Sequence, residues 1–256
     1  MTMHLEDLKL LVKKIIHGKT EKYQFGNKNL LFKTGSRPVR RRYIDSPSDV
    51  VRNDVLQINF IEKNFRPNDV LWDIGSHHGH YSIFAAVMAN GEAQVFSFEP
   101  DAAARQVQMQ NITFNHLEGK IKVSNAAVSN AVGVLSFLQM NGNSNSHILS
   151  KHETKHGDIV DVESVTLNYL LEKLPKPTFV KIDTEGAEIN ILSAADQLLA
   201  DPKINFVCEL HPFAWDNYGV NYGEFESIIR RFGRQIRVLD EHRNISQLPY
   251  YGTVIF

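Results

Sequence analysis

Four acidic residues follow short apolar runs that are typical of buried β-strands: Asp73, Glu99, Asp183 and Glu209. Carboxylates are seldom buried without partners, so acids at four strand ends exceed what packing requires. In a doubly wound sheet, ligands bind beyond the carboxyl ends of the strands, near the point where the strand order reverses. Each acid alone could belong to a structural ion pair, but the set favours a ligand site.

The turn after the first of these strands favours a nucleoside ligand that has no pyrophosphate. It reads Asp73-Ile74-Gly75-Ser76-His77-His78-Gly79-His80. A dinucleotide site needs a second glycine two residues after Gly75, and His77 occupies that position; the sequence also has no Gly-x-x-x-x-Gly-Lys-Ser/Thr phosphate loop. Glu99 follows Gly75 by 24 residues and can accept hydrogen bonds from both hydroxyls of a ribose. These features together describe a site for S-adenosylmethionine.

Several side chains at the same strand ends could remove a proton from a substrate: Asp183, Glu185, Glu188, Glu209 and His211. His211 titrates nearest neutral pH, and Pro212 after it predicts a turn in which the imidazole is accessible. A loop histidine that ties down the backbone explains the same residue equally well. Asp183 and Glu209 could instead bind Mg²⁺ through oxygen. A metal-free site is favoured, because the sequence shows no clear third hard ligand.

These residues stand in a regular alternation of strand and helix patterns that begins near residue 68. Continuous apolar runs predict strands, and apolar residues at helical spacing predict the helices between them. The predicted strands cover 70–74, 94–98, 120–128, 179–183, 204–210 and 235–239, with a final edge strand at 252–256. The predicted helices cover 81–88, a segment from 101, 187–199 and 222–232. This order predicts an α/β fold with a doubly wound, mostly parallel sheet.

Six short motifs at these positions resemble those of the FkbM-type S-adenosylmethionine-dependent methyltransferases. They are DIGSHHGHYS from Asp73, FEPD from Phe98, NAAVS from Asn125, TLN from Thr166, KIDTEGAE from Lys181 and ELHP from Glu209. The match runs in order over about 69–212. The resemblance implies a class I, Rossmann-like methyltransferase fold and S-adenosylmethionine as the methyl donor. It also implies O-methylation, usually during natural-product or glycan synthesis.

The resemblance further implies roles for individual residues. The turn from Gly75 to Gly79 would hold the methionine moiety of the donor, and Glu99 would hold the ribose. Asn125 and Ala126 would lie near the adenine. The predicted donor site comprises Asp73, Gly75, Ser76, His77, Gly79, Glu99, Pro100, Asn125, Ala126 and Asp183; the predicted catalytic residues are Asp183, Glu185 and His211. Two positions depart from the family pattern, since His77 stands where asparagine is usual and Asn168 where aspartate is frequent.

The first sixty residues lie outside this resemblance, and we predict an extension on the substrate side at 1–60 before a methyltransferase domain at 61–256. Apolar residues at helical spacing over 5–16 predict an amphipathic helix, and two apolar segments flanking Gly26–Asn29 predict a hairpin. The arginines at 37, 40, 41 and 42 form either a solvated loop or a clamp for an acceptor phosphate or carboxylate. The polar stretch 141–158 predicts a long loop, which is either a lid over the site or a flexible connection.

Composition narrows the classes of partner. The 256 residues carry a formal net charge of −1, so no global field draws the protein to nucleic acid or to an anionic membrane. Cys208 is the only cysteine and is expected to be a small buried hydrophobe. The sequence shows no secretory signal and no apolar run of the length that spans a membrane. These features predict a cytoplasmic protein.

The sequence therefore predicts an S-adenosylmethionine-dependent O-methyltransferase. Its expected acceptor is a hydroxyl or carboxyl of a small-molecule or glycan-type substrate, which can be anionic. A Mg²⁺-dependent O-methyltransferase of the catechol type is one alternative. A nicotinamide-dependent Rossmann oxidoreductase is another, and His77 disfavours it.

Overall fold

A central seven-stranded sheet organises the protein. The computed structural model describes residues 20–36, 49–140, 146–149, 158–240, 243 and 251–256, with the side chains of 49–52 excepted. The strands of the central sheet are β3 (Val70–Ile74), β4 (Gln94–Phe98), β5 (Ile121–Ser124), β10 (Phe179–Ile182), β11 (Asn205–Leu210), β12 (Arg237–Val238) and β13 (Gly252–Ile255). Their order is β12-β13-β11-β10-β3-β4-β5. All neighbours pair in parallel except β13, which is antiparallel to both β11 and β12.

The strand order reverses between β3 and β10. From β3 the chain builds outward through β4 and β5, and it then returns to add β10 and β11 on the other side of β3. This arrangement confirms the predicted doubly wound, mostly parallel α/β sheet. Because ligands of such sheets bind at the reversal, the carboxyl ends of β3 and β10 are where a site is expected.

Helices cover both faces of this sheet. In the described part of the chain they are α1 (Asp49–Asn64), α2 (His80–Met88), α3 (Ala102–Phe114), α4 (Leu167–Lys173), α5 (Glu188–Ser193), α6 (Asp196–Leu199), α7 (Pro212–Tyr218) and α8 (Tyr222–Arg231). Alternate residues of a strand face opposite sides of a sheet. Accordingly Trp72 and Ile74 of β3 enter one buried cluster, whereas Leu71 enters another.

Local sequence explains several helix boundaries. The Asp101 side chain caps α3 by accepting hydrogen bonds from the amides of Ala103 and Ala104 at 2.8 and 2.9 Å. Asn221 and Glu224 form a capping box at the start of α8.

The predicted hairpin is present as β1 (Thr20–Phe25) and β2 (Lys28–Lys33), which pair antiparallel. The ring of Phe25 packs 4.4 Å, centroid to centroid, from Phe84 of α2. The sequence-based boundary at residue 60 falls inside α1, so the division into 1–60 and 61–256 stays a prediction. The predicted helix at 5–16 and the four arginines lie outside the described residues.

The largest departure from the predicted fold is a second, four-stranded sheet. Its strands are β6 (Ala127–Val128), β7 (Gly133–Gln139), β8 (His147–Ile148) and β9 (Asp158–Val165), in the order β6-β9-β7-β8. The predicted strand at 120–128 therefore ends at Ser124, and its last residues leave the central sheet to pair with β9. The predicted loop at 141–158 contains β8, and its remaining residues are described only in part.

Two smaller predictions also differ from the structure. The helix predicted over 187–199 is interrupted at Ala194–Ala195 and forms α5 and α6. The strand predicted over 235–239 is reduced to β12. Cys208 is buried, as predicted.

Among the described residues, no helix combines the length and the apolar character that a bilayer crossing requires.

Candidate active site

A cavity of about 280 Å³ opens at the carboxyl ends of β3, β4, β10 and β11, at the reversal in strand order. This size is near the lower end of the range typical of small-molecule sites. Its walls come from the turn after β3, from the strand-end acids, from α1 and from the second sheet. The lining residues used below are Asp54, Gly75, Ser76, His77, Tyr81, Glu99, Pro100, Lys181, Asp183, Glu185, Glu209 and Tyr251.

Gly75 allows the turn to lie directly against the end of β10. Its φ is +72°, and a Cβ at this position would stand 1.8 Å from the carbonyl oxygen of Asp183. The amides of Gly75 and Ser76 both donate to the carbonyl oxygen of Phe98, at 3.0 and 3.1 Å. The turn is therefore held between β4 and β10, and a residue with a side chain cannot replace Gly75 without displacing the backbone.

Glu99 occupies the position expected of a ribose ligand. It lines the cavity and is 6% exposed. Its Oε2 accepts the amide of His77 at 2.7 Å, and its Oε1 accepts the amide of Asp101 at 2.8 Å. Burial raises the pKa of Glu99 to about 7. Because a carboxylate has about four lone-pair sites, this one keeps acceptor capacity for a ligand.

Lys181 of β10 and Asp183, the residue that follows β10, form an ion pair on one side of the strand, as strand alternation predicts; Lys181 is buried and Asp183 is half-buried. Lys181 Nζ lies 3.0 Å from Asp183 Oδ2, and it also stands 4.6 Å from the ring centroid of Tyr81. Burial alone would raise the pKa of Asp183, but the Lys181 ammonium holds it below its usual value. Asp183 is therefore ionised and fixed in position at the cavity wall.

His211 is buried, so the predicted accessible imidazole is wrong. The side chain is 2% exposed because Pro212 begins helix α7 and not an open turn. His211 Nδ1 lies 3.0 Å from Glu188 Oε1. Burial would lower the pKa of His211, but the carboxylates of Glu188 and Asp183 outweigh it and raise the pKa to about 10.

The second ring nitrogen of His211 faces three carboxylates. Its Nε2 lies 3.8 Å from Asp183 Oδ1, 3.8 Å from Glu185 Oε2 and 3.9 Å from Glu209 Oε1. At neutral pH the imidazole carries its proton, so it enters the site as a cation among acids. This geometry brings the three predicted catalytic residues together.

Two further acids of the cavity have raised pKa values. Burial raises the pKa of Glu185 to about 7, and it raises the pKa of Asp54 to about 7. Asp54 belongs to α1, where its Oδ1 accepts a hydrogen bond from the Tyr81 hydroxyl at 3.1 Å. Glu185 has a φ of +54°, an uncommon value for a residue with a side chain, and such conformations cluster at functional sites.

Sequence reasoning missed three residues that shape this site. Asp54 and Gln57 come from α1, and the Gln57 amide donates to Glu209 Oε2 at 2.7 Å. Tyr251 precedes β13, and its hydroxyl donates to Glu209 Oε1 at 2.8 Å. The apolar residues at 55, 58 and 61 could have revealed α1, but no local pattern marks Tyr251, because its role depends on the pairing of β13 with β11.

Asp183, Glu209 and His211 also form a candidate cation site. Each offers one ligand atom, and these atoms lie within 4.8 Å of one another. The structure thus places a third potential ligand, the His211 imidazole, beside the two carboxylates, and this imidazole must lose its proton to bind a metal. Oxygen ligands suit Mg²⁺, whereas the imidazole suits transition metals.

Not every predicted donor-binding or catalytic residue lines the cavity. Gly75, Ser76, His77, Glu99, Pro100, Asp183 and Glu185 line it, whereas Asp73, Gly79, Asn125, Ala126 and His211 are not among its lining residues. Asp73 is completely buried, and its Oδ2 accepts the Ser82 hydroxyl at 2.6 Å, which places it beneath the turn. Asn125 is exposed, and Ala126 is buried between β5 and β6. The individual roles of these residues stay predictions.

Comparison with known proteins establishes the family. The model of the FkbM methyltransferase domain matches residues 73–236, which is well over half of the chain and includes the turn, Glu99, Asp183 and His211. The chain belongs to the FkbM methyltransferase family. The resemblance noted in the sequence is confirmed, and the predicted class I, Rossmann-like methyltransferase fold is confirmed with it.

Two relatives illustrate how far the similarity extends. The hexuronic acid methyltransferase AglP of Haloferax volcanii is 27% identical over 161 residues, which are 60% of this chain and 61% of that protein. The methyltransferase FkbM of Methylobacillus flagellatus KT superposes with a TM-score of 0.50 and 15% sequence identity, over 82% of this chain and 55% of that one. This chain spans about 61% of the length of the first protein, and the second shows the fold.

Proposed function

We propose that this FkbM methyltransferase is an S-adenosylmethionine-dependent O-methyltransferase. The single observation that carries the proposal is the Glu99 carboxylate, which lines a cavity beside the Gly75 turn at the reversal in strand order. An acid at the end of the second strand of such a sheet is suited to bind ribose hydroxyls. The turn and Glu99 would hold the nucleoside and methionine parts of the donor.

The charge of the cavity supports a cationic donor. Besides Glu99, five carboxyl groups line the cavity: Asp54, Asp101, Asp183, Glu185 and Glu209. The lining includes one lysine, Lys181, as a counter-charge. An excess of acidic groups in a partly dehydrated site attracts a positively charged ligand. When it is bound, S-adenosylmethionine supplies a methyl group that is already activated on a positively charged sulfonium. The residues present fit this group.

The protein's remaining task is to orient the acceptor and to take its proton. Glu185 is the best placed base, because it lines the cavity and its pKa of about 7 lets it exchange a proton near neutral pH. Asp183, held by Lys181 at 3.0 Å, is suited to accept a hydrogen bond from the acceptor hydroxyl. His211 holds its own proton at neutral pH, so we assign it an electrostatic role and not that of the base.

We infer a glycan-type acceptor with an acidic sugar as the first candidate. The support is the relative of Haloferax volcanii, which is named for a hexuronic acid. Methylation of a hydroxyl uses the base described above, whereas methylation of a carboxylate does not require one. The arginines at 37, 40, 41 and 42 could bind the acid group of such an acceptor.

A cytoplasmic location is also part of this proposal, and the single cysteine supports it.

Donor binding tests the proposal most directly. Glu99→Ala removes two charge-assisted hydrogen bonds to a ribose, each worth about 1.5–3 kcal/mol. We expect the Kd for S-adenosylmethionine, measured by calorimetry, to rise at least about tenfold. NADH, which has a pyrophosphate, should bind neither protein measurably. An unchanged donor Kd in a folded Glu99→Ala variant would remove the assignment.

The base assignment predicts how turnover depends on pH. Below about pH 7 Glu185 binds a proton and cannot accept another, so kcat/KM should fall towards a tenfold loss per pH unit. The measurement is release of S-adenosylhomocysteine between pH 5 and 8, with a glucuronic acid glycoside as the acceptor probe. Protonation of Glu99 should change the donor Kd, whereas protonation of Glu185 should change turnover. Measuring the donor Kd over the same pH range therefore distinguishes the two. A flat profile would contradict a carboxylate base.

A second candidate is a metal-dependent O-methyltransferase. It is favoured by the three ligand atoms of Asp183, Glu209 and His211 within 4.8 Å. Strong inhibition by EDTA, reversed by added Mg²⁺ or Mn²⁺, would replace the carboxylate base with metal-assisted chemistry.

A further inference from the structure

Phe213 is the only phenylalanine, tyrosine or tryptophan among the described residues whose side chain is mostly exposed. It is 70% exposed, although it stands in helix α7 two residues before Trp215, which is buried. Residues two apart lie on nearly opposite sides of a helix, so Phe213 falls on the side that faces solvent, where polar residues are usual. The packing of α7 therefore does not account for an aromatic residue at this position.

Phe213 belongs to a group of three rings beside the cavity. Its ring centroid is 5.7 Å from that of His211, at an interplanar angle of 89°, and 6.2 Å from that of Tyr251, at 44°. The ring centroids of His211 and Tyr251 are 5.6 Å apart. Tyr251 lines the cavity, so the exposed ring of Phe213 extends the cavity wall outwards at this point. We call Phe213 and Tyr251 the aromatic rim.

The aromatic rim is joined directly to the acids of the cavity. The Tyr251 hydroxyl donates to Glu209 Oε1 at 2.8 Å, which fixes the orientation of the tyrosine ring. His211, which contacts both rings of the rim, has its Nε2 3.8 Å from Asp183 Oδ1 and 3.8 Å from Glu185 Oε2. One imidazole ring therefore separates the aromatic rim from the carboxylates that are proposed to handle the acceptor hydroxyl.

We propose that the aromatic rim is the acceptor subsite, and that Phe213 stacks against the apolar face of a pyranose ring in a glycan-type acceptor. The inference rests on the proposed function, which supplies the reaction. A pyranose has a face of C–H groups and an edge of hydroxyls. The C–H groups are attracted to the negative face of an aromatic ring, and the hydroxyls donate hydrogen bonds to carboxylates. The aromatic rim offers the first kind of surface, and the acids at the strand ends offer the second.

Other occupants match only part of this arrangement. An acyl chain has apolar groups for the aromatic rim but no donor for Glu209, Asp183 or Glu185. A catechol ring stacks on the rim but donates only through its adjacent hydroxyls. A pyranose with its hydroxyls is wider than the imidazole that separates the two surfaces, so a single sugar ring can contact both. The acceptor of stated chemistry is therefore a sugar, and the other two are outcomes of the test.

Ligand binding to the full chain tests the proposal without turnover. Saturation-transfer NMR with methyl β-D-glucuronide, methyl β-D-glucoside and catechol shows which probe binds and which of its protons approach the protein. We expect transfer to the ring C–H protons of at least one of the glycosides. Phe213→Ala and Phe213→Leu should each raise the Kd of that glycoside about three- to tenfold, whereas Phe213→Tyr should stay within about twofold of the native protein.

The variants separate stacking from other causes. Leucine keeps an apolar side chain but has no aromatic face, so native affinity in Phe213→Leu would overturn the stacking role. Val134→Ala on β7 removes an apolar side chain that is 69% exposed and should leave the glycoside Kd unchanged. Because Phe213 is exposed, its variants should keep Tm within about 2 °C of the native protein. Absence of glycoside binding, with or without binding of catechol, would overturn the pyranose assignment.

Donor calorimetry distinguishes failure of this inference from failure of the proposed function. Phe213→Ala should leave the Kd for S-adenosylmethionine within about twofold, because the aromatic rim does not contact the donor. If the native protein binds the donor but no Phe213 variant changes glycoside binding, the acceptor subsite is wrong and the methyltransferase proposal stands. If the native protein does not bind the donor, the proposed function fails, and the glycoside titrations still decide whether Phe213 binds a sugar.

Discussion

Glu185→Gln should lower kcat by about 10²–10⁴-fold and leave the donor Kd within a few-fold, because that is the usual range for a lost acid–base group. Glutamine has nearly the same shape as glutamate but cannot accept the acceptor's proton. The substitution also keeps the backbone conformation, in which φ is +54°. The measurement is a single-turnover rate beside a donor titration, with the glucuronic acid glycoside probe.

Substitutions of a neighbouring acid and of a surface acid test whether the loss of turnover is specific to Glu185. Asp183→Asn should also lower kcat, and the effect of the two substitutions together should be less than additive if Asp183 and Glu185 handle the same hydroxyl. Glu172→Gln on α4 is the surface control and should change neither constant. A normal single-turnover rate in Glu185→Gln, with weak donor binding, would make Glu185 a donor ligand and not the base.

Gly75→Ala should produce the second large effect, on folding and donor binding together. The added Cβ would stand 1.8 Å from a backbone oxygen at the end of β10, a separation that real Cβ atoms do not show. The residue also has a φ of +72°, which costs a side chain about 1–2 kcal/mol by itself. We expect the free energy of unfolding to fall by about 4 kcal/mol or more, and donor binding to be lost in any protein that folds.

Gly219→Ala is the control that separates the two causes. Gly219 has a similar φ of +66°, but nothing lies within 4 Å of a Cβ built there. The Gly219→Ala variant should therefore show only the cost of a side chain at positive φ. For a chain of this size, that cost lowers Tm by about 2–6 °C. Equal Tm values for Gly75→Ala and Gly219→Ala would show that the turn can move away from β10, and that its close approach is not required.

Sequence alone was sufficient for the inner strands of the central sheet and for the resemblance to the family. Continuous apolar runs defined β3, β4, β10 and β11 within one residue at each end, because strands buried on both faces admit few polar residues. The acids after these runs could be assigned to one edge, since parallel strands end on the same side of a sheet. Glu99 and Asp183 accordingly lie at the cavity, and Gly75 lies between their strands.

The second sheet was missed for a local reason. Residues 133–139 and 158–165 contain apolar residues, but polar residues interrupt them, so neither segment shows the continuous apolar run that identified the central strands. The pairing of β9 with β6 and with β7 also joins residues that are distant in the sequence, and such strands depend on neighbours that sequence patterns do not identify. The same sheet contributes Phe137 to the cavity wall, so this part of the site was missed with it.

The tertiary structure alone determines the protonation states of the acids and of the histidine in the candidate site. Pro212 is compatible with a turn and with the first position of a helix, and only the packing of α7 buries His211 against Glu188. Asp54 and Tyr251 reach the site from segments almost 200 residues apart in the sequence, because α1 packs on β13 and β13 pairs with β11. Residue types and spacing could therefore indicate which groups carry charge. Which of them holds a proton depends on burial and on neighbours a few ångströms away, and these exist only in the folded chain.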